Sequence, residues 1–284
     1  MQSQPRIIDG KAIAAALRDD LARKINSQTL TPGLAVILVG DDPASHVYVR
    51  NKITACEKTG IESFEYKLPA ETNAAAIAER IEALNADPRI HGILLQLPLP
   101  ASLAPYQDDL VQKIAPHKDV DGLTVTNAGK LFLGMNDGLV PCTPQGSLML
   151  IKSVRTDLSG LHAVVIGRSN LFGKPMAQLL LQENCTVTMC HSRTADLPAT
   201  CAQADILVAA AGRPQMVKAD WVKQGAIVID VGINRLADGT LTGDVAFDDV
   251  APKSAAITPV PGGVGPMTIA CLLKNTAQAA GISL

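Results

Sequence analysis

Tyr48 and Lys52 are the first residues in the chain whose types and spacing suggest chemistry. Both lie in the stretch SHVYVRNK, which follows the apolar run Leu34–Gly40 and has the pattern of a helix. Residues four apart share one face of a helix, so the aromatic ring and the amine are predicted to lie side by side. An ordinary solvated lysine has the same spacing. The alternative interpretation is that the pair forms half of an active site.

Polar residues also stand near the end of a second apolar strand. The stretch GILLQLPLP contains one polar side chain, Gln96, at the carboxyl end of a predicted buried strand. Ligand sites of α/β proteins lie at that edge of a parallel sheet. Two carboxylates, Asp119 and Asp121, follow in the stretch HKDVDGLT. Each feature also has a structural interpretation, because loop backbone can satisfy a glutamine and two carboxylates can form a turn before Gly122.

A glycine turn in the second half predicts a dinucleotide-binding unit. The stretch VVIGRSNLFGKPMAQLLL has the pattern of a strand, a turn and a helix, with Gly167 at the strand end and Gly173 at the helix start. Ser169 stands where the usual pattern has its second glycine. Gly167 permits a tight turn, and the helix N-terminus offers N–H groups to a diphosphate. A purely structural turn between strand and helix is the alternative.

The next strand distinguishes between the two nicotinamide cofactors. In NAD enzymes an acidic residue near the end of this strand binds the ribose 2′-hydroxyl. Here the strand TVTMC is followed by no carboxylate before Asp196. Ser192 and Arg193, together with Arg168 from the glycine turn, offer hydrogen-bond donors and positive charge instead. This set suits the 2′-phosphate of NADP, although a polar surface loop has the same composition.

A further glycine-rich stretch, PVPGGVGPMT, precedes the predicted C-terminal helix. Glycine lets the backbone approach a planar ligand closely, because no Cβ stands in the way. The stretch is therefore a candidate ligand-binding loop, and an ordinary connection between two elements is the alternative.

Composition restricts the class of protein. The 284 residues favour two domains, and a hydrophobic fraction of 47% is enough for a packed core. The 25 basic and 27 acidic residues give a net charge of −2, which argues against a nucleic-acid partner. No apolar run has the length of a signal peptide or a membrane helix, so we expect a cytoplasmic protein with no membrane association. The six cysteines lack CxxC and zinc-site spacing, so we expect buried free thiols, no metal and no disulfide.

Short apolar runs alternate with helical segments, which predicts an α/β fold in which parallel sheets are covered by helices. Asp42 is predicted to cap the helix that carries Lys52, and Gly60 to end it. Residues 98–143 contain prolines and glycines and lack strong periodicity, so they are predicted to form short helices within a long irregular connection of the kind that is often functional. A second alternation begins at Leu161 and ends in a helix over MTIACLLKNTAQAAG.

Six stretches of the chain together resemble one enzyme family. YVRNK, GILLQLPLP, KDVDGLT, PCTPQG, GRSNLFGKP and PVPGGVGPMT span most of the chain. They occur in the order found in the bifunctional methylenetetrahydrofolate dehydrogenase/methenyltetrahydrofolate cyclohydrolase family. The resemblance implies NADP-dependent oxidation of 5,10-methylenetetrahydrofolate to the methenyl form, and hydrolysis of that form to 10-formyltetrahydrofolate. It also implies tetrahydrofolate derivatives as substrates and a homodimer.

The resemblance further implies roles for individual residues. Lys52 is implied to be the catalytic lysine, with Tyr48 packed on the folate and Gln96 hydrogen-bonded to the lysine. Asp121 is implied to anchor the pterin ring. The implied folate slot includes Leu95, Leu97, Pro261, Gly262, Gly263, Val264 and Gly265. The implied NADP contacts are Gly167, Arg168, Ser169, Ser192 and Ile233, to which the residue pattern itself adds Arg193.

The expected architecture is an N-terminal α/β catalytic domain and a Rossmann-type NADP-binding domain with a cleft between them. Residues 1–143 and 267–284 are assigned to the folate-binding domain, and residues 144–266 to the NADP-binding domain. Two alternatives stay open: another two-domain NADP oxidoreductase that resembles shikimate dehydrogenase, and a non-catalytic NADP-binding protein. The tyrosine, lysine, glutamine and aspartate set argues against the second alternative, because a scaffold needs none of them.

Overall fold

The computed structural model describes residues 6–284, apart from the side chains of residues 43 and 44. The chain divides into two compact units, each built around its own parallel sheet. Residues 15–142 and 269–284 form the three-stranded unit. Residues 143–268 and the described residues before Ala15 form the six-stranded unit.

The elements alternate along the chain as the sequence predicts. The strands are β1 (Arg6–Ile7), β2 (Gly33–Val39), β3 (Glu62–Leu68), β4 (Gly92–Leu95), β5 (His162–Ile166), β6 (Thr186–Cys190), β7 (Ile206–Ala209), β8 (Ile227–Asp230), β9 (Asn234–Arg235), β10 (Leu241–Thr242) and β11 (Ala256–Ile257). The α-helices are α1 (Gly10–Asn26), α2 (Pro43–Thr59), α3 (Ala74–Ala86), α4 (Gln107–Gln112), α5 (Val125–Phe132), α6 (Cys142–Val154), α7 (Gly173–Gln182), α8 (Leu197–Cys201), α9 (Phe247–Val250) and α10 (Val264–Ala279). Short 3-10 helices cover Ala101–Tyr106, Ala219–Trp221 and Ala251–Lys253.

The three-stranded sheet has the order β3-β2-β4, and both pairs are parallel. Strand β2, GLAVILV, is buried along its whole length, as its continuous apolar run predicts for a central parallel strand. Its register sets Ile37 opposite Leu95, and the Gln96 N–H donates to the Ile37 carbonyl at 2.9 Å. On the other side of β4, Ile93 forms a parallel bridge with Asp119. Residues that follow β2, β4 and Asp119 therefore leave the sheet at one edge.

Helix α2 follows β2 and begins and ends as predicted. The Asp42 carboxylate accepts hydrogen bonds from the Ser45 N–H and hydroxyl, both at 2.8 Å, and so satisfies the first turn. Gly60 ends the helix in the left-handed conformation, with φ of 79°. Both predicted caps are confirmed, so the register of Tyr48 and Lys52 on this helix is fixed at both ends.

The six-stranded sheet has the order β1-β11-β8-β7-β5-β6, with parallel pairs throughout. The chain passes from β5 to β6 on one side and then returns to β7 on the other. Open α/β sheets bind ligands at the carboxyl ends of the strands where the strand order reverses in this way. Helix α7 leaves β5 at that point, so the glycine turn stands at the switch point.

Several elements differ from the sequence-based expectations. Strands β1 and β11 pair with each other but have only two residues each, which is too short for a periodic pattern. Because β1 pairs with β11, the described residues before Ala15 belong with the six-stranded sheet. The expected division grouped residues 1–14 with the folate-binding half. Residues 1–5 lie outside the described residues. Helix α10 begins at Val264 and not at Met267, because a proline is tolerated in the first turn of a helix.

No helix within residues 6–284 is both long enough and apolar enough to cross a membrane.

His91 connects β2 to β4 at the opposite edge of the three-stranded sheet. The Gly33 N–H donates to His91 Nδ1 at 3.0 Å, which requires a ring nitrogen without a proton. Burial, followed by the charge of Lys118, lowers the pKa of His91 below its usual value of 6.5. A histidine with a lowered pKa stabilises the fold above the unfolded pKa, and this stabilisation is lost as the pH falls through the folded pKa.

We expect the urea midpoint of the protein to fall between about pH 7 and about pH 5 by more than that of His91→Asn. The asparagine oxygen takes the place of Nδ1 as an acceptor and does not titrate. The measurement is equilibrium unfolding followed by circular dichroism at both pH values. Identical pH dependence in the two proteins would show that His91 does not contribute in this way.

Candidate active site

The Lys52 amine and the Gln96 amide form a hydrogen bond in the three-stranded unit. Lys52 Nζ donates to Gln96 Oε1 at 2.9 Å, and Gln96 Nε2 donates to the Leu97 carbonyl at 2.7 Å. The second bond fixes the amide with its oxygen toward the lysine. Both side chains are half-buried, and the two hydrogen bonds hold the amine at a defined position.

Asp121 lies near this pair, and the charges of Asp121 and Lys52 affect each other's pKa. Burial lowers the pKa of Lys52, and the negative charge of Asp121 partly opposes that shift. Burial raises the pKa of Asp121, and the positive charge of Lys52 partly opposes that shift. Both shifts favour the uncharged forms, because burial penalises charge. The amine therefore has a larger neutral fraction than an exposed lysine at the same pH.

The two carboxylates of the stretch KDVDGLT have different environments. Asp119 is buried and accepts hydrogen bonds from the Leu123 N–H at 3.1 Å, the Thr124 N–H at 2.7 Å and Asn127 Nδ2 at 2.9 Å. A buried carboxylate with three such donors orders the loop around it. Asp121 is half-buried and lies close enough to Lys52 for the two charges to interact.

The remaining predicted residues of this group differ in their exposure. Tyr48 is 43% exposed and lies one turn before Lys52 on α2. Leu95 is buried within the apolar core that includes Ile37, so its side chain packs in the core at the end of β4. Leu97 is half-buried and precedes a cis peptide bond to Pro98.

The glycine turn in the six-stranded unit requires the glycines that the sequence shows. Gly167 has φ of 131°, and a Cβ there would lie 2.5 Å from the Ala210 carbonyl oxygen at the end of the adjacent strand β7. A Cβ on Gly173 would collide with the Gly167 carbonyl. Ser169 accepts a hydrogen bond from the Phe172 N–H at 3.1 Å, so its hydroxyl stabilises the start of α7.

The donors expected for a 2′-phosphate stand at the same edge of this sheet. The Gly167 N–H donates to the Cys190 carbonyl at 2.8 Å, which places the turn beside the end of β6. Arg168, Ser192 and Arg193 are exposed there. Asp196 accepts from the Ala199 N–H at 3.3 Å as the cap of α8. Apart from this capping carboxylate, which is also exposed, the exposed groups named here are cationic or hydroxyl, and this donor set fits NADP.

The loop Pro261–Gly265 and Ile233 lie together in the six-stranded unit. The Lys11 N–H donates to the Gly262 carbonyl at 3.1 Å, and Gly262 has φ of 109°. A Cβ on Gly265 would lie 3.8 Å from Ile233 Cδ1. Ile233 is 48% exposed, so an apolar side chain that follows β8 stands open beside the loop.

Two models of one protein family match successive parts of the chain. Residues 8–121 match the family described as tetrahydrofolate dehydrogenase/cyclohydrolase, catalytic domain, and residues 141–283 match its NAD(P)-binding domain. The bifunctional protein FolD 2 of Paracoccus denitrificans is 58% identical over 280 residues, which cover 96% of this chain and 92% of the relative. The chain belongs to the tetrahydrofolate dehydrogenase/cyclohydrolase family.

Solved structures support the same assignment. The bifunctional FolD enzyme of Campylobacter jejuni is 47% identical, with a TM-score of 0.94 over 97% of this chain and 98% of that one. The Trypanosoma brucei FolD enzyme, solved with NADP cofactor and an inhibitor, is 37% identical, with a TM-score of 0.91 over 98% of this chain and 97% of that one.

The family assignment confirms the predicted fold class, activity and cofactor. The enzyme oxidises 5,10-methylenetetrahydrofolate to the methenyl form with NADP and hydrolyses that form to 10-formyltetrahydrofolate. Neither the shikimate dehydrogenase-like alternative nor the non-catalytic alternative is favoured, because both domains of the family match and the identity is high.

The sequence did not predict two buried residues of this chain, Asn275 and Cys142, which lie next to the segment that contains Asp121. Asn275 on α10 is fully buried and donates through Nδ2 to the Val120 and Val140 carbonyls, each at 2.8 Å. The Cys142 thiol donates to the Val120 carbonyl at 3.2 Å. Burial, followed by the charge of Asp121, raises the pKa of Cys142 well above its usual value, so the group is a neutral thiol.

Only a weak signal for these two residues exists in the sequence. Asn275 is a polar residue in the mostly apolar helix α10, and Cys142 lies in the family stretch PCTPQG.

All six cysteines are buried free thiols, and burial raises the pKa of Cys56 and Cys271 to about 12. Among residues 6–284 no cluster of three histidine, cysteine or acidic side chains could hold a metal ion.

Proposed function

We propose that Lys52 is the amine that transfers protons in the cyclohydrolase reaction. The observation that carries the proposal is the hydrogen bond from Lys52 Nζ to Gln96 Oε1 at 2.9 Å. A glutamine orients the amine without adding negative charge, whereas a carboxylate in its place would raise the lysine pKa. Burial lowers the pKa of Lys52, which increases the neutral fraction that can accept a proton.

The hydrolytic step needs a base at the attacking water and an acid at the departing nitrogen. Water adds to the methenyl carbon of the cationic substrate, and neutral Lys52 takes one of its protons. The bond from that carbon to N5 then breaks as N5 gains the proton held by Lys52. The hydroxyl proton of the adduct is released to solvent as the carbonyl forms, which leaves the formyl group on N10. The substrate cation itself disfavours a protonated lysine nearby, so binding further favours the neutral amine.

The oxidative step depends on positioning more than on proton transfer. NADP, when bound, supplies the nicotinamide that accepts a hydride from the methylene carbon of the substrate. The nitrogen lone pairs of the substrate stabilise the cationic product, so the protein mainly has to hold the reacting carbon in place. We assign that role to Tyr48 as a wall with an apolar face and to Asp121 as the anchor of the pterin ring.

The residues 15–142 and 269–284 form the proposed folate unit, in which Leu97 lines the slot and Leu95 supports it. The residues 143–268 form the proposed NADP unit. Its proposed cofactor contacts are Gly167, Arg168, Ser169, Ser192, Arg193 and Ile233, and its proposed substrate contact is the loop Pro261–Gly265.

We expect Lys52→Met to lower cyclohydrolase kcat at least about 100-fold, because positioned general acid–base catalysis contributes that much or more. NADP affinity should stay within about twofold, since the glycine turn is unchanged. Lys58→Met, at an exposed position later on α2, is the matched control and should retain both properties. Equal losses of cyclohydrolase activity and NADP affinity in Lys52→Met would contradict the assignment.

We expect Arg168→Ala to raise the KM for NADP by about tenfold and to change the KM for NAD little. The reason is that a hydrogen bond to a charged group is worth about 1.5–3 kcal/mol. Dehydrogenase assays with each cofactor measure the preference directly. Arg155→Ala, an exposed arginine of the same unit, is the control. An unchanged preference for NADP over NAD would remove Arg168 from the phosphate site.

We also propose that the enzyme is a cytoplasmic homodimer with no nucleic-acid partner. The dimer rests on the family resemblance, and the missing nucleic-acid partner is in keeping with the net charge of −2. Light scattering should give about twice the chain mass of 29.7 kDa. A mass of one chain across micromolar concentrations would contradict the dimer.

A further inference from the structure

A buried carboxylate in the six-stranded unit accepts four hydrogen bonds from two separate loops. Asp244 Oδ2 accepts from the Ala211 N–H at 2.6 Å and the Gly212 N–H at 2.9 Å. Asp244 Oδ1 accepts from the Arg213 N–H and from Asn234 Nδ2, both at 2.9 Å. The residue is 0% exposed. A buried carboxylate is tolerated only with such donors, and each of these bonds is strengthened by the charge.

Both loops leave the sheet at its carboxyl edge. Residues 211–213 follow β7, and Asn234 is four residues beyond the end of β8, the neighbouring strand. Ala210, which precedes the first loop, lies close against Gly167. A Cβ on Gly167 would lie 2.5 Å from the Ala210 carbonyl oxygen. The first loop therefore borders the glycine turn, and the second contains Ile233. Asp244 connects the two.

A second carboxylate holds Asp244 in turn. Asp230 Oδ1 accepts from the Gly232 N–H at 3.1 Å and the Asp244 N–H at 2.9 Å, and Asp230 Oδ2 accepts from the Val245 N–H at 2.9 Å. Gly232 lies directly against the Asp244 carboxylate, where a Cβ would collide with it. The backbone of Asp244 is thus fixed from β8 while its side chain fixes the loops.

We propose that Asp244 is a positioning residue that holds the loops 211–213 and 232–234 in one arrangement, so that NADP meets a preformed site. The inference rests on the function proposed for the glycine turn and Ile233. A preformed site binds more tightly because no ordering cost is incurred on binding.

The same geometry restricts where the diphosphate can bind. Three successive backbone N–H groups, from Ala211 to Arg213, form a concavity of the kind that binds anions. The Asp244 carboxylate already fills it. The diphosphate is therefore left with the glycine turn and the N-terminus of α7, and negative charge close to Asp244 is disfavoured.

The test uses two variants of the full-length enzyme. Asn234→Ala removes one donor from a half-buried side chain and leaves the three backbone bonds in place. Asp244→Asn replaces one acceptor oxygen by a donor that faces other donors. Asp248→Asn, at an exposed position four residues later, is the matched control. NADP dissociation constants come from titration calorimetry, and cyclohydrolase activity is assayed without NADP.

We expect Asp244→Asn to raise the NADP Kd by about tenfold or more, and Asn234→Ala to raise it by several-fold, since charged hydrogen bonds are lost. Cyclohydrolase kcat should stay within about twofold in both. That activity also reports folding, because it needs no NADP. If Asp244→Asn does not fold, Asn234→Ala decides.

An unchanged NADP Kd in Asn234→Ala and in any folded Asp244→Asn would overturn the proposal. An equal loss of NADP affinity and of cyclohydrolase kcat would also overturn it, because that result indicates a purely structural role. A failure of the proposed NADP site itself would give a different result from a failure of the role proposed for Asp244. In that case the unmodified enzyme itself would fail to bind NADP, or the Arg168→Ala cofactor preference would be unchanged.

Discussion

The hydrogen bond between Lys52 and Gln96 is the interaction on which the proposed chemistry depends. A lysine is a useful base only if a fraction of it is neutral, and its usual pKa of 10.5 leaves very little neutral amine near pH 7. A carboxylate partner would fix the amine at the cost of protonating it. Gln96 fixes the amine without that effect, and burial then moves the pKa in the useful direction.

The fold supplies this bond through strand order and register. Strand β2 is central in its sheet, with α2 leaving its carboxyl end and β4 pairing beside it. The pairing of Ile37 with Leu95 ends β4 so that the next residue, Gln96, stands at the same edge as α2. A shift of one residue in this register would turn the side chain to the other face of the sheet. The apolar core around Ile37 therefore determines where the amide lies.

The sequence predicts much of this arrangement because its signals are local. A cap such as Asp42, a glycine with positive φ such as Gly167, and a scarce aromatic one turn from a lysine are each recognisable within a few residues. The different environments of Asp119 and Asp121 are not recognisable in this way, because they depend on which carboxylate the loop amides surround. Asn275 meets the Val120 carbonyl across 155 positions, and no local pattern encodes such a contact.

The same limit applies in the nucleotide half. The glycine turn and the missing acid after β6 identify the cofactor from short stretches of sequence. Asp244, by contrast, is one of several carboxylates in a loop-rich region, and its four donors come from segments 10 to 33 positions away. Strands β1 and β11 have two residues each, so their pairing depends on tertiary context and not on periodicity.

The pairing of β1 with β11, and the place of Asn275 on the last helix, have a consequence for how this gene can be divided. Neither unit is a single continuous stretch of the chain: the six-stranded sheet takes its edge strand from the N-terminal segment, and the three-stranded unit takes Asn275 from the C-terminal one. A fragment cut after residue 142 loses Asn275, and the complementary fragment loses β1. A single cut near residue 142 therefore leaves neither fragment with a whole unit, and a single crossover there between relatives exchanges parts of both units at once.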